Sequence, residues 1–285
     1  MTDDSAIIKP KACVIGWPVA HSRSPLIHRF WLERLKIDGS YELAAVAPAG
    51  FPAFVRDLAR QGFAGANVTL PHKQTAFDLC DATTTTAASL KTVNTLWIES
   101  GKLRGDNTDA AAFAGALDQE APGWDINSGK AVVIGAGGAA RAIVYALKLR
   151  GMKRIFLINR TKERALELAS DFGASIEVVD FPDLPGALAS ASLLVNTTSL
   201  GMCGQPPLAI DLAPLPPDAV VADIVYVPLE TALMRAARAR GLRAVSGIGM
   251  LLHQAVPGFE RWFGVKPCVT PELRSLVEAD IAAGS

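Results

Sequence analysis

The sequence predicts an α/β protein composed of two domains. Its length of 285 residues corresponds to roughly two domains of ordinary size. Short apolar runs alternate with amphipathic stretches along most of the chain, as in successive βαβ units. One apolar run leads directly into a glycine-rich turn followed by a helical pattern, which also favours an α/β fold.

Composition and charge exclude several classes of function. Lys plus Arg and Asp plus Glu each number 28, so nothing favours nucleic acid or an anionic membrane as a partner. Half of the residues are hydrophobic, which is typical of a folded globular protein. The longest apolar run, residues 131–140, is shorter than the about 20 residues that span a bilayer. The first residues, MTDDSAIIKPK, do not resemble a secretory signal, so we expect a cytoplasmic protein.

The four cysteines predict neither disulfides nor a metal site. Cys13, Cys80, Cys203 and Cys268 are far apart in the sequence and form no CxxC pair. They are not grouped with histidines in a zinc-binding pattern, so we expect no metal cofactor.

The first part of the chain, from Ala12 to Leu117, predicts strands and helices in alternation. Its segments in order are KACVIG, PLIHRFWLERL, SYELAAVA, FPAFVRDLARQ, GANVTL and PHKQTAFDLC. Proline is favoured in the first turn of a helix, so Pro25 and Pro71 mark two predicted helix starts. We expect a hairpin turn near Ser100 and Gly101.

The second part repeats this alternation and predicts a parallel sheet covered by helices. Its segments are KAVVIGAGGAARAIVYALKLRG, KRIFLINRTKERALELASDFG, SIEVVDF, SLLVNTT, AVVADIVYVP and the helical TALMRAARARG. Residues 246–285 are helical in pattern and contain no predicted strand, so we expect them to pack against the first domain.

The turn after the predicted strand at residues 131–134 has the features of a dinucleotide-binding site. Gly135 permits a tight turn, Gly137 lets the backbone approach a pyrophosphate, and Ala140 stands where a third glycine usually permits close helix packing. The alternative interpretation is a tight strand-to-helix turn that binds no ligand.

The next predicted strand, Arg154–Ile158, ends without the carboxylate that an NAD site places there for the ribose hydroxyls. The residues after it include Asn159, Arg160, Thr161, Lys162 and Arg164. A guanidinium group can pair with a 2′-phosphate, so NADP is favoured over NAD. Alternatively, these residues are ordinary solvated charges at the start of a helix.

The loop from Gly16 to Pro25 predicts an anion site at the N-terminus of the first helix. Ser22 and Ser24 can donate hydrogen bonds there, and the helix dipole and free N–H groups favour a carboxylate. The alternative is that Ser24 only caps the helix.

Two charged residues near helix starts are candidate catalytic groups. Lys73 lies in the first turn of the helix after Thr69, where a cation is disfavoured, so its position indicates function rather than stability. Asp109 opens the helix that leads into the second domain. Alternatively, Asp109 is a helix N-cap or a first-turn acid.

Nine short motifs occur in order along the chain. They are GWPVAHSRSPLIH, NVTLPHK, VNTL, GDNTDA, GAGGAAR, NRT, NTTSLGM, DIVYVPLET and GMLLHQA. In these motifs and in their order the sequence resembles the shikimate dehydrogenases over nearly its whole length. Each motif alone is weak, but the ordered set is highly specific.

The resemblance implies both a substrate site and a cofactor site. Ser22 and Ser24 would bind the substrate carboxylate, while Thr69, Lys73, Asn94, Asp109, Tyr226 and Gln254 would surround the ring and its hydroxyls. Lys73 and Asp109 would be the catalytic pair. The cofactor residues would be Gly135, Ala136, Gly137, Gly138 and Ala139 at the pyrophosphate, Asn159, Arg160, Thr161 and Arg164 at the adenosine phosphate, and Ile224 and Gly247 beside the nicotinamide.

The resemblance also implies an architecture and a reaction. Residues 1–108 together with 246–285 would form a substrate domain, and residues 109–245 a Rossmann-type domain that binds NADP. The expected reaction is the reversible NADPH-dependent reduction of 3-dehydroshikimate to shikimate in chorismate and aromatic amino acid biosynthesis, by a monomer or homodimer. The alternatives are a quinate/shikimate dehydrogenase of broader substrate and cofactor use, and a non-catalytic relative that senses the metabolite.

Overall fold

The computed structural model describes residues 9–126 and 129–284, which form two compact units. The first unit runs to Thr108 and also takes Ala255–Leu273. The second unit comprises Asp109–Gln254 and the residues from Arg274 onward. The segment expected to return to the first domain was 246–285, and the segment that belongs to the first unit is 255–273.

The first unit is built on a six-stranded mixed sheet in the order β2-β1-β3-β5-β6-β4. Its elements are β1 (Lys11–Gly16), α1 (Ser24–Arg34), β2 (Ser40–Ala45), α2 (Phe51–Arg56), β3 (Phe63–Val68), α3 (Lys73–Leu79), β4 (Ala82–Thr83), α4 (Thr85–Leu90), β5 (Thr95–Glu99) and β6 (Lys102–Asp106). Strand β1 pairs in parallel with β2 and β3, as the alternation of strands and helices predicts.

The predicted hairpin turn joins β5 and β6, which pair antiparallel. Ser100 and Gly101 both have positive φ angles, 52° and 73°, as two-residue hairpin turns require. The expectation that Pro71 lies in the first turn of a helix is wrong. Helix α3 begins at Lys73, and Pro71 lies within a turn closed by the hydrogen bond from the His72 N–H to the Thr69 carbonyl (3.0 Å).

An aromatic cluster fills one side of the first unit. His28 of α1 stacks on Tyr41 of β2 with ring centroids 3.8 Å apart, and Phe259 and Trp262 pack against the same imidazole. The indole N–H of Trp262 donates to the Leu96 carbonyl at 2.9 Å. These contacts hold residues 255–273 in the first unit.

The second unit is a six-stranded parallel sheet in the order β12-β11-β10-β7-β8-β9. Its elements are α5 (Asp109–Glu120), β7 (Lys130–Ile134), α6 (Gly138–Leu149), β8 (Arg154–Ile158), α7 (Lys162–Phe172), β9 (Ile176–Val178), α8 (Leu184–Leu188), β10 (Ala191–Asn196), β11 (Val220–Asp223), α9 (Ala232–Ala239) and β12 (Arg243–Ser246). Numbered from β7, this is the 3-2-1-4-5-6 order of a Rossmann sheet, which confirms the predicted fold class.

Two helices complete the chain, α10 (Gly247–Phe263) and α11 (Pro271–Ala283). Arg274 of α11 forms an ion pair with Glu120 of α5, and this contact lies within the second unit. The sequence interpretation missed β12, which lies between α9 and α10 and completes the Rossmann sheet. Within the described ranges, no helix is both long enough and apolar enough to cross a membrane.

Candidate functional site

In the first unit, the loop after β1 brings two hydroxyl groups to the N-terminus of α1. The Ser22 hydroxyl donates to the Ser24 hydroxyl at 3.3 Å and accepts from the Ser24 N–H at 3.3 Å. The interpretation of Ser24 as a helix cap is wrong, because Arg23 is the N-cap and Ser24 is the first helical residue. The two serines therefore lie side by side at the positive end of a helix, an arrangement that suits a carboxylate.

The end of β3 lies directly against the start of this loop. The Thr69 N–H donates to the Ile15 carbonyl at 2.9 Å, and the Trp17 N–H donates to the Leu70 carbonyl at 3.1 Å. A Cβ added to Gly16 would lie 2.5 Å from the Thr69 methyl group, so only glycine permits this approach. The two strand ends thus hold Thr69 beside the loop that carries the serines.

Lys73 is the first residue of α3, as the sequence predicts, and its main chain is fixed by a neighbouring segment. The Val93 N–H donates to the Lys73 carbonyl at 2.9 Å, and the adjacent Asn94 N–H donates to the Asp106 carbonyl at 3.0 Å. Lys73 and Asn94 are therefore carried by segments that are hydrogen-bonded to each other.

Asn94 is buried and joins a polar network in the interior of the first unit. Its side-chain oxygen accepts from the Thr108 N–H at 2.9 Å, and its backbone carbonyl accepts from the Val68 N–H at 2.8 Å. Asn67 donates to the same carbonyl at 3.3 Å and accepts from the Tyr41 hydroxyl at 2.6 Å.

Sequence reasoning missed Tyr41, and it gave no role of their own to Asn67 and Thr108, which lie in the motifs NVTLPHK and GDNTDA. The signal available for Asn67 was an amide within an otherwise apolar strand, where a buried polar group needs partners.

In the second unit, β7 enters the glycine turn that the sequence singled out. Gly135 has a φ of 111°, and a Cβ there would overlap the Thr197 hydroxyl. Its N–H donates to the Ile158 carbonyl at 2.8 Å, which ties the turn to β8. Both the backbone conformation and the close packing require glycine at this position.

The residues after Gly135 leave room for a ligand. Gly137 is the N-cap of α6 and Gly138 its first residue, and both are exposed. A Cβ added to either would meet no atom within 4 Å. The first N–H groups of α6 have no partner within the helix and can donate hydrogen bonds to a pyrophosphate. The turn therefore combines these donors with open space. These features fit a dinucleotide.

After β8, Asn159 is partly buried and residues 160–164 are exposed, at the same edge of the sheet. The Asn159 amide donates to the Thr161 carbonyl at 2.7 Å, and Lys162 pairs with Asp180 at 2.6 Å. Arg160 and Arg164 form no ion pair with any residue in the described parts of the chain. Two exposed guanidinium groups therefore fit the 2′-phosphate of NADP.

Residues from β11 to α10 form the third part of the second unit's candidate site. Ile224 and Tyr226 follow β11, and Gly247 opens α10, where a Cβ would overlap the Ile224 carbonyl. Asp109 is the first residue of α5, which agrees with its interpretation as a first-turn acid and leaves a further role open. Gln254 lies on α10, next to His253.

Burial, hydrogen bonds and neighbouring charges shift the pKa values of two acids and a histidine in the second unit. Burial raises the pKa of Asp223, although hydrogen bonds from Thr231, Val225 and Asn196 favour its charged form. Burial also raises the pKa of Glu120, against the attraction of the Arg274 guanidinium. Burial and the Arg274 charge lower the pKa of His253, whose ring contacts the Gln119 side chain at 2.8 Å.

Sequence reasoning did not single out Asp223, Asn196 or Thr231. Among the described residues, no group of three or more His, Cys, Asp or Glu side chains could hold a metal ion.

Three family models match the chain. They are the shikimate dehydrogenase substrate-binding domain over residues 14–96, the shikimate/quinate 5-dehydrogenase over 117–202, and the shikimate 5′-dehydrogenase C-terminal domain over 247–269. The chain is also similar to a curated shikimate dehydrogenase (NADP⁺) of Methylocella silvestris, with 62% identity over 95% of this chain and 97% of that one.

Two solved structures have the same fold over nearly the whole chain. The shikimate 5-dehydrogenase of Thermus thermophilus in complex with NADP(H) and shikimate is 35% identical, with a TM-score of 0.84 over 97% of this chain and all of that one. The quinate dehydrogenase of Corynebacterium glutamicum in complex with NAD is 29% identical, with a TM-score of 0.88 over 95% of this chain and 99% of that one.

Proposed function

The chain belongs to the shikimate dehydrogenase family, and from that premise we propose that it catalyses the reversible NADPH-dependent reduction of 3-dehydroshikimate to shikimate. The observation that carries the proposal is the agreement of the family models with curated relatives that match almost the whole chain and are NADP-dependent shikimate dehydrogenases. This reaction belongs to the biosynthesis of chorismate and the aromatic amino acids.

The proposed cofactor residues divide recognition of NADP into three parts. The turn Gly135, Ala136, Gly137, Gly138 and Ala139 binds the pyrophosphate through backbone N–H groups. Asn159, Arg160, Thr161 and Arg164 bind the adenosine end, where the guanidinium groups meet the 2′-phosphate. Ile224 and Gly247 lie beside the nicotinamide. What supports this division is the open space at Gly137 and Gly138 and the exposure of both arginines.

The proposed substrate residues bind by side chain. Ser22 and Ser24 donate hydrogen bonds to the substrate carboxylate, and Thr69, Asn94, Tyr226 and Gln254 bind the ring hydroxyls. The pairing of the two serine hydroxyls at the start of α1 supports the first assignment. Lys73 lies in the first turn of α3, where a cation is disfavoured for stability. This position supports the assignment of Lys73 to the substrate site.

The proposed chemistry needs one proton for each turnover. Bound NADPH supplies a hydride to the ketone carbon of the substrate. Lys73 donates a proton to the oxygen as negative charge develops there, and in the reverse direction it accepts that proton from the hydroxyl. Asp109 binds the same hydroxyl. These two residues are the catalytic pair of the proposal.

Quinate oxidation is the second candidate activity, because one family model covers quinate dehydrogenases and a quinate dehydrogenase has a closely similar fold. Steady-state kinetics with shikimate and quinate, each with NADP and NAD, separates the candidates. The proposal predicts the highest kcat/KM for shikimate with NADP. A higher value for quinate or for NAD would favour the broader enzyme, and no turnover with any pair would favour a metabolite sensor.

The proposal includes a cytoplasmic location and a monomer or homodimer. Sedimentation equilibrium of the purified protein measures the second directly, with a mass of 30.1 kDa expected for the monomer.

A further inference from the structure

A buried carboxylate organises the ends of two neighbouring strands in the second unit. Asp223 is the last residue of β11 and is only 2% exposed. One of its oxygens accepts from the Val225 N–H at 3.0 Å and from the Asn196 amide at 2.9 Å, and the other accepts from the Thr231 hydroxyl at 2.7 Å. A buried carboxylate is costly unless its oxygens are satisfied, so these three bonds are strongly maintained.

The Asp223 carboxylate fastens both ends of the segment that leads from β11 to α9. Val225 lies near the beginning of this segment and Thr231 at its end, and Tyr226 lies between them. Thr231 is also the N-cap of α9, because its hydroxyl accepts from the Met234 N–H at 3.3 Å. One side chain therefore closes the segment into a loop anchored to a strand and to a helix.

Asn196, at the end of β10, extends the network to the adjacent loop. Its side-chain oxygen accepts from the N–H and the hydroxyl of Thr198 at 3.0 and 2.8 Å. Its backbone carbonyl accepts from the Ile224 N–H at 3.1 Å. Asn196 thus holds the Ile224 N–H. On the other side, the Ile224 carbonyl lies so close to Gly247 that a side chain at position 247 would not fit.

The same strand ends contact the glycine turn. The Thr197 hydroxyl donates to the Ile134 carbonyl at 2.7 Å, and it is the group that a side chain at Gly135 would overlap. These hydrogen bonds run from β7 through β10 to β11 and therefore link the glycine turn to Ile224. Asp223 is the charged residue among those that form them.

We propose that Asp223 is a positioning residue for the nicotinamide end of the NADP site, holding Ile224 in place through its bonds to Val225, Asn196 and Thr231. The same bonds hold the segment that carries Tyr226, a residue of the proposed substrate site. The inference rests on the proposed function for the identity of the cofactor. Asp223 is buried under its three donors, so it acts through these residues. The adenosine end, at Arg160 and Arg164, is carried by different elements and does not depend on it.

Two probes separate the two ends of the cofactor site. NADP occupies both ends, whereas adenosine 2′,5′-bisphosphate carries the 2′-phosphate and adenosine without a nicotinamide. Calorimetric titration of Asp223→Ala is expected to show an affinity for NADP about tenfold below that of the wild type, the scale of one or two lost hydrogen bonds. The affinity for adenosine 2′,5′-bisphosphate is expected to stay within about twofold, because the adenosine end is intact.

Thr231 provides a second test if Asp223→Ala does not fold. Thr231→Val removes the hydroxyl that binds Asp223 and caps α9, whereas Thr231→Ser keeps it. We expect the valine variant to lose NADP affinity selectively and the serine variant to retain it. Thr270→Val is the matched control, since Thr270 accepts from the Leu273 N–H at 3.3 Å and caps α11 but belongs to the first unit.

The outcomes are distinguishable from failure of the proposed function. Equal loss of both ligands in Asp223→Ala and Thr231→Val would show a general structural role and overturn the inference, and so would unchanged NADP affinity in both. Wild-type protein that binds NADP but does not oxidise shikimate would overturn the proposed function. The comparison of the two probes would still decide the role of Asp223.

Discussion

Two strand-to-helix turns, one in each unit, are built on the same plan and differ in the chemistry they present. The turn after β1 and the turn after β7 each follow a strand that pairs in parallel on both sides, and each leads to a helix N-terminus. In both, a glycine lies against a threonine that follows the neighbouring strand, Gly16 against Thr69 and Gly135 against Thr197. Close strand packing therefore requires glycine in both units.

Beyond that glycine the turns diverge. The first unit has a loop of seven residues, 17–23, whose Ser22 hydroxyl contacts Ser24. The second unit reaches its helix after Gly135, Ala136 and Gly137, and there is open space at Gly137 and at Gly138, the first helical residue. This difference supports the proposal that the first turn binds its ligand through side chains and the second through backbone N–H groups. Removing side chains from the first turn should weaken the function of that turn in ligand binding, and adding side chains to the second turn should weaken ligand binding there.

The largest effect is expected at Lys73, the proton donor of the proposed reaction. Lys73→Ala should lower kcat by about a hundredfold or more, the usual scale for a positioned acid or base, with much smaller changes in the affinity for either ligand. Steady-state and binding measurements together separate the two effects. Near-normal turnover at saturating shikimate would exclude proton transfer by this lysine.

The next largest effect is expected at Arg160, the side chain of the second unit that we propose binds the 2′-phosphate of NADP. Arg160→Ala should raise the KM for NADP about ten- to a hundredfold, because a charge-assisted hydrogen bond is worth about 1.5 to 3 kcal/mol. The KM for NAD, which has no 2′-phosphate, should change little. The prediction fails if both cofactors are affected equally.

The two glycines of the second turn should respond differently to the same substitution. Gly135→Ala should lower the free energy of unfolding by about 1 to 3 kcal/mol, because a left-handed φ and an overlap with Thr197 are both imposed. Gly137→Ala should leave it within about 0.5 kcal/mol, since the added Cβ meets nothing. Urea denaturation measures both.

Gly137→Ala should weaken NADP binding even though it leaves the free energy of unfolding almost unchanged. The variant should lose affinity by about tenfold, because the methyl group occupies the space through which the backbone approaches the pyrophosphate. Unchanged NADP affinity in a stable Gly137→Ala protein would contradict backbone recognition at this turn.

A smaller effect, on the pH dependence of stability, is expected from a buried histidine in the first unit. Burial lowers the pKa of His28, in the first unit, from 6.5 to about 3. The unfolded chain therefore binds a proton that the folded chain does not, and stability is lost as the pH falls from 6.5 towards 3. Between about pH 7.5 and 5.5 the loss should be about 1.4 kcal/mol. His28→Phe should remove that part of the pH dependence in urea denaturation, and an unaltered dependence would contradict it.

The repeating parts of the fold were predictable because their signals are local. The bounds of β8 and the turn at Gly135 follow from a short apolar run and from glycine spacing. Strand β12 was missed because it has four residues and gains its order from pairing with β11, which is remote in sequence. The role of Pro71 was misinterpreted because proline favours turns as well as helix starts.

The buried polar networks of each unit were less predictable. Asp223 lies in a largely apolar run of the sequence, and its partners at positions 196 and 231 come close only in the folded sheet. Asn67 and Tyr41 are similarly joined by a contact between separate strands. Sequence patterns indicate which residues are polar, whereas the satisfaction of buried polar groups is decided by tertiary pairing.

The most direct test of the contrast between the two turns is a crossed binding experiment. Shikimate and NADP are each titrated calorimetrically into the Ser22→Ala/Ser24→Ala double variant and into Gly137→Ala. The double variant should lose affinity for shikimate by about tenfold or more and keep its affinity for NADP, while Gly137→Ala should do the opposite. Loss of both ligands in either variant, or unchanged shikimate affinity without the two serine hydroxyls, would contradict the assignment of side-chain recognition to one turn and backbone recognition to the other.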